Sequence, residues 1–206
     1  MRPEMRCIRP DRLLAFYDGV MAIIMTILVL DLKVPKTVSL EGFLAQSGNF
    51  FSYTMSFLWL GIMWLNHYTA WSRIQKTGIV SAALTLVLLF VTSFFPYAES
   101  LVGEDPDSQF ANVVFGILVI VISLLNMLLS HVADRENHTR LFGLAYFIPD
   151  WLMKVNLAVF GAGMFLTLFV VPWGMMASVF VTVSTLVLYF IFCIPYLFRG
   201  EHAECD

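Results

Sequence analysis

Residues 12–35 read RLLAFYDGVMAIIMTILVLDLKVP, an apolar run in which an aspartate, Asp18, stands inside the segment. Crossing the hydrocarbon of a bilayer takes roughly 20 apolar residues, so this run qualifies as a membrane-spanning helix. Asp18 lies about a turn and a half inside it. An ionisable residue in such a helix is expensive and points to function, with a partner to be found.

The rest of the chain supports the membrane reading. Of 206 residues, 59% are hydrophobic and 13% charged, and the mean hydropathy is +0.81, far from the balance of a soluble globular domain. Charge-free runs extend from Gly42 to Ser72, Thr77 to Ala98 and Ser108 to Ala133. A fourth, Val155 to Phe198, is too long for one pass and is interrupted by Val-Val-Pro-Trp-Gly at 170–174, a helix stop followed by an interfacial aromatic. The expected fold is all-α, with six transmembrane helices at about 13–34, 44–72, 79–100, 109–132, 150–171 and 174–198. They form a single domain over 1–206 with no room for a soluble one.

Orientation follows from the basic residues. Arg2, Arg6, Arg9, Arg12, Arg73, Lys76, Arg135, Arg140, Lys154 and Arg199 fall on one side of this topology, against Lys33 and Lys36 on the other, ten to two. Both termini are therefore expected in the cytoplasm, with the chain a multi-pass protein of the plasma membrane. Because Asp18 interrupts the apolar core and no small-residue cleavage site follows before Asp31, helix one reads as retained and not as a signal peptide. The outer connection Glu99-Ser-Leu-Val-Gly-Glu104-Asp105-Pro-Asp107 carries four carboxylates and no base. It reads as a solvated turn, with a cation-gathering pore mouth as the sharper alternative. Cys7, Cys193 and Cys205 imply no disulfide framework.

Nucleotide loops, zinc spacings and nucleophile elbows are missing from the chain. Neither an enzymatic reaction nor a cofactor is expected, nor a nucleic-acid partner. The best metal candidate, His131-Val-Ala-Asp134-Arg-Glu136-Asn-His138, has the composition any cytoplasmic loop would have. There is no Thr-Val-Gly-Tyr-Gly filter, no arginine-rich voltage sensor and no Gly-x-x-x-Gly pair, which excludes a conventional potassium channel.

Asp18 needs a partner from another helix. Arg12 is six residues away, roughly 240° around the helix, and cannot share its face. Helix two runs back toward the cytoplasm, so Trp64, Asn66 and His67 reach a depth similar to that of Asp18. Asp18 is expected to accept hydrogen bonds from His67, Asn66 or the Trp64 indole, tying helix one to helix two. The plainer reading is that Asp18 snorkels to the headgroups and His67 is an ordinary interfacial histidine.

At this point the residues carry a resemblance. Arg12-x-x-x-Phe16-x-Asp18-Gly19, followed by the apolar run to Leu30, resembles the helix-one signature of the endolysosomal potassium channel family, transmembrane protein 175, and its bacterial homologues. Trp64-x-x-His67 and Phe95-Pro96-Tyr97 extend the likeness. The family pattern is Arg-x-x-x-Phe-Ser-Asp, and Tyr17 stands here in place of its serine.

The resemblance implies a homotetramer in the lipid bilayer, with helix one of every copy lining the pore at the oligomer axis. An apolar constriction replaces a carbonyl filter, and the permeant ion is potassium among the monovalent cations. The matching positions are Ile23, Ile27 and Leu30, with Thr26 beside them. Taking Ile23 as zero, Ile27 falls at about +40°, Leu30 at about −20° and Thr26 at about −60°, whereas Asp18 falls at about −140°. If the stripe faces the pore, Asp18 faces the surrounding helices as a brace or gating latch, and Arg12 at about −20° sits at the cytoplasmic entrance. Helix one is apolar all round, so only the resemblance singles this face out. Thr26 could equally bond the carbonyl four residues earlier. The function implied is a potassium-preferring cation channel; an ion-coupled secondary transporter and a non-conducting membrane scaffold are the alternatives.

Overall fold

The computed structural model describes residues 10–35, 37–71, 74, 77–137 and 150–201. Helix α1 spans Pro10–Ile27 and runs on as a single 3-10 turn over Leu28–Asp31. Pro10 opens it where a missing N–H costs nothing, and Asp11 places negative charge in the first turn. It stops short of the expected 34: Leu32 is already extended, and Pro35 drives the residue before it out of the helical region.

A short helix, α2 (Leu40–Leu44), is capped by Ser39, whose hydroxyl accepts from the Gly42 amide at 3.1 Å. The second long helix, α3, spans Ser47–Trp71. The third expected helix is not continuous. It divides into α4 (Ile79–Thr92) and α5 (Phe95–Glu104) at Ser93-Phe94. Pro96 has no N–H to offer the Thr92 carbonyl, and its ring presses on that turn, so the break falls just before it. Helix α5 then runs to Glu104, four residues beyond the expected end, and Glu99 lies in it instead of in a loop.

Helix α6 (Gln109–Asn137) is five residues longer than expected. Its last turns carry His131, Asp134 and Glu136, so that polar stretch is helix and not loop. The Glu136 carboxylate accepts from the Gly78 amide at 2.8 Å and from the Ser81 hydroxyl at 2.7 Å, capping the start of α4. His138 lies outside the described residues, and among the described residues no three potential metal ligands cluster.

The interrupted apolar run forms two helices, α7 (Asp150–Phe169) and α8 (Gly174–Glu201). Thr167 closes their connection: its hydroxyl donates to the Gly163 carbonyl at 3.0 Å and accepts from the Met175 amide at 2.7 Å. A Cβ on Gly163 would collide with the Ser178 side chain, which is why glycine stands where the two helices touch.

Among the described residues four segments, Pro10–Asp31, Ile79–Glu104, Gln109–Asn137 and Trp151–Phe169, are long and apolar enough to cross a membrane. The protein is a multi-pass membrane protein. Helix α6 packs on α4, α5, α7 and α8, while α1 lies against α3, α4 and α5. At the centre Trp59 stacks on Phe95 with ring centroids 5.2 Å apart and meets Phe160 edge-on at 6.3 Å, and Phe95 touches Phe115 at 5.4 Å.

Candidate functional site at the first helix

Helix α1 has two unlike faces. Tyr17, Met21, Ile24 and Leu28, at the spacing of one helical face, are buried against the protomer's other helices. Ile23, Ile27 and Leu30 are 59%, 41% and 77% exposed, on a stripe roughly 140° from the buried face. Thr26 and Arg12 are exposed with them. A groove of about 450 Å³ lies beside the stripe, with Ile23 and Ile27 on one wall and Pro96 and Tyr97 of α5 on the other.

Thr26 spends its proton locally. Its hydroxyl donates to the Ala22 carbonyl at 2.9 Å and lies 3.0 Å from that of Ile23, the back-bonding open to a mid-helix threonine. The oxygen keeps its lone pairs as an acceptor.

On the other side of α1 the chain builds a clamp to α3. The Trp64 indole donates to Asp18 Oδ1 at 2.8 Å. Of the three donors expected for Asp18, the indole is the one found. His67 instead stacks on Tyr17, ring centroids 3.9 Å apart and planes within 15°, with Trp71 on its other side at 5.1 Å. The Asn126 side chain of α6 lies beside its imidazole. Asn66, also buried, turns toward a cavity between α3, α6, α7 and α8. Tyr17, the residue standing where the family has serine, is thus the platform that carries His67, and its buried hydroxyl has no hydrogen-bond partner.

Asp31, at the outer end of α1, was not singled out from the sequence, and Glu99 was read only as part of an exposed acidic connection. Asp31 and Glu99 line a polar pocket of about 210 Å³ with Asn49 and Ser100. Glu99 is only 5% exposed, one turn beyond the buried Phe95 on the same face of α5. The i, i+4 spacing from Phe95 was the available signal. The base-free acidic stretch takes a counter-charge from elsewhere in the chain, as Lys33 pairs with Glu104.

The model of the endosomal/lysosomal potassium channel TMEM175 family matches residues 12–96, the segment that holds α1, the clamp and the Pro96 break. Over this segment the chain is a TMEM175 homologue. A potassium channel of Streptomyces collinus is 33% identical over 135 residues, 62% of this chain and 66% of that protein. A potassium channel of a Chryseobacterium species is 36% identical over 124 residues, 60% of this chain and 65% of that protein. The chain thus spans just under two thirds of the length of these relatives. In structure it matches the lysosomal potassium-selective channel TMEM175 homologue of Chamaesiphon minutus with a TM-score of 0.71 at 23% identity, over 87% of this chain and 96% of that one. This TMEM175 relative therefore shares the fold of that solved channel protein over 87% of its length.

Proposed function

We propose that the chain is the subunit of a potassium-preferring cation channel. Copies assemble as a homotetramer in the plasma membrane, each crossing it six times with both termini in the cytoplasm. Helix α1 of every copy faces the axis, and Ile23, Ile27 and Leu30 form an apolar constriction. No catalysis and no cofactor enter this reading.

The observation that carries it is the two-faced α1. Its apolar stripe is turned away from the protomer, while the opposite face is held by the Asp18–Trp64 bond and the Tyr17–His67 stack. A helix that only needed to face lipid would not require so directed a hold. The relatives' names, potassium channels both, agree with it.

A ring of aliphatic side chains closes by expelling water and opens when a small tilt of α1 lets partly hydrated ions pass. Asp18 and Trp64 lie off the pore and set that tilt, as a latch between α1 and α3. Selectivity then rests on dehydration, which costs less for potassium than for the smaller sodium ion, with the free lone pairs of Thr26 available to water or ion. The expected preference is moderate.

The test is gradient-driven flux into liposomes holding the purified chain, with potassium, sodium and proton gradients compared. Potassium-favouring flux supports the channel. Saturable flux that requires a coupled ion supports a transporter, and tight liposomes with folded protein support a scaffold.

A further inference from the structure

At the outer end of α1, the pocket of about 210 Å³ holds two carboxylates left without a counter-charge. Asp31 comes from the 3-10 turn that ends α1 and Glu99 from α5, and each feels the other's charge. Asn49 of α3 and Ser100 of α5 add further oxygens to the lining. Lys33 also lines the pocket, but it is committed to Glu104, and both side chains are exposed. Among the described residues neither Asp31 nor Glu99 is in an ion pair.

Glu99 is the costly member, at 5% exposed. Ser52 of α3 faces it, yet the Ser52 hydroxyl makes no hydrogen bond. The carboxylate oxygens of Glu99, unlike that hydroxyl, are not shut off from the pocket it lines. A carboxylate held inside a membrane bundle is expensive unless something answers it, and a second carboxylate beside it raises the cost.

The lining chooses its occupant. Two negative charges call for a divalent cation, because a monovalent one would leave a charge unanswered. Oxygen is the donor throughout, and among the described residues no imidazole or sulfur lines the pocket, which selects a hard ion over zinc or copper. A water molecule claims about 30 Å³ in the liquid, so the pocket has room for an ion with several of its waters. Calcium prefers a cage of six to eight oxygens, whereas magnesium keeps several waters and is held through one or two carboxylates. We propose that Asp31 and Glu99 bind a partly hydrated Mg²⁺ between α1 and α5, its waters donating to the Asn49 and Ser100 oxygens.

Such an ion would tie the outer end of α1 to α5, as the Asp18–Trp64 bond ties its inner part to α3. Under the channel reading it would resist the tilt of α1 and lower flux. The binding itself does not rest on that reading.

The probe is Mn²⁺, a paramagnetic ion of similar coordination, titrated into the full chain in phosphatidylcholine nanodiscs and followed by loss of its free-ion resonance signal. The site predicts saturable binding that Mg²⁺ displaces. Asp31→Asn and Glu99→Gln should each weaken it about tenfold or more, since each removes a charge in direct contact with the ion. Lys33→Met, which takes a positive charge from the wall and frees Glu104, should tighten it about threefold, the modest worth of an exposed charge. Asp105→Asn with Asp107→Asn, on the exposed connection beyond α5, should leave it unchanged. No saturable binding in the unmodified chain would overturn the site. So would binding that is equal in the unmodified chain and the Asp31 and Glu99 variants, or that is lost in the Asp105 and Asp107 variant. Displacement by potassium at the same concentration as Mg²⁺ would overturn the choice of a divalent ion. The readout is binding, so its result is independent of whether the chain conducts.

Discussion

The Trp64 indole reaches Asp18 at 2.8 Å, and one turn further along α3 the His67 ring lies flat on Tyr17, the neighbour of Asp18 in α1. Adjacent residues of α1 are thus gripped by two residues of α3, one through a hydrogen bond and one through ring stacking. Trp64→Phe removes the donor and keeps the ring. The loss expected is about 1–3 kcal/mol, the range for leaving a part-buried polar group without its partner. Asp18→Asn keeps an acceptor oxygen and should lose less. Thermal unfolding of both variants in the same detergent checks the order; equal losses would contradict it.

Toward α1, His67 acts through its shape. His67→Phe keeps the stack on Tyr17 and loses the hydrogen bond with Asn126, a cost of about 0.5–1.5 kcal/mol. His67→Ala forfeits the stack, on the order of 1 kcal/mol, in addition to the cavity it opens. If His67 were instead a hydrogen-bond donor to Asp18, His67→Phe would behave like Trp64→Phe in the same unfolding assay.

Tyr17→Phe deletes a buried hydroxyl that has no partner. It should leave the protein as stable or raise its stability by about 1 kcal/mol, since an unsatisfied polar group is removed. Tyr17→Ser restores the family residue but takes the platform from under His67, and a loss of about 3–5 kcal/mol is expected for emptying an aromatic site. A neutral Tyr17→Ser would mean that the stack carries no stability.

Glu136 caps α4 from the end of α6. Glu136→Ala should cost about 1–2 kcal/mol, as the loss of a helix cap does, and should speed hydrogen exchange at the first amides of α4. By contrast, Lys33 and Glu104 pair with side chains 63% and 57% exposed. Lys33→Met should therefore change stability by less than about 1 kcal/mol, and less still at high salt.

The long helices were legible because apolar length is a strong signal in a membrane chain, and the Val170–Gly174 interruption marked the α7–α8 junction because proline and glycine there leave little choice. The break before Pro96 carried the same kind of signal and was passed over, since an unbroken apolar run masked it. The Asp18 partner was legible as a set of three residues at one depth. The selection of Trp64 was not, because it depends on how α1 and α3 rotate against each other. The buried place of Glu99 and the pairing of Lys33 with Glu104 across 71 residues of chain depend on tertiary packing, which hydropathy does not encode.

The measurement that bears most directly on the account is potassium flux into liposomes containing the purified chain, with sodium substitution and an Ile23→Asn variant alongside. Rapid, gradient-driven flux that favours potassium and rises, or admits more sodium, in Ile23→Asn is the predicted result. Potassium flux left unchanged by Ile23→Asn would remove the exposed face of α1 from the narrow point of the pore.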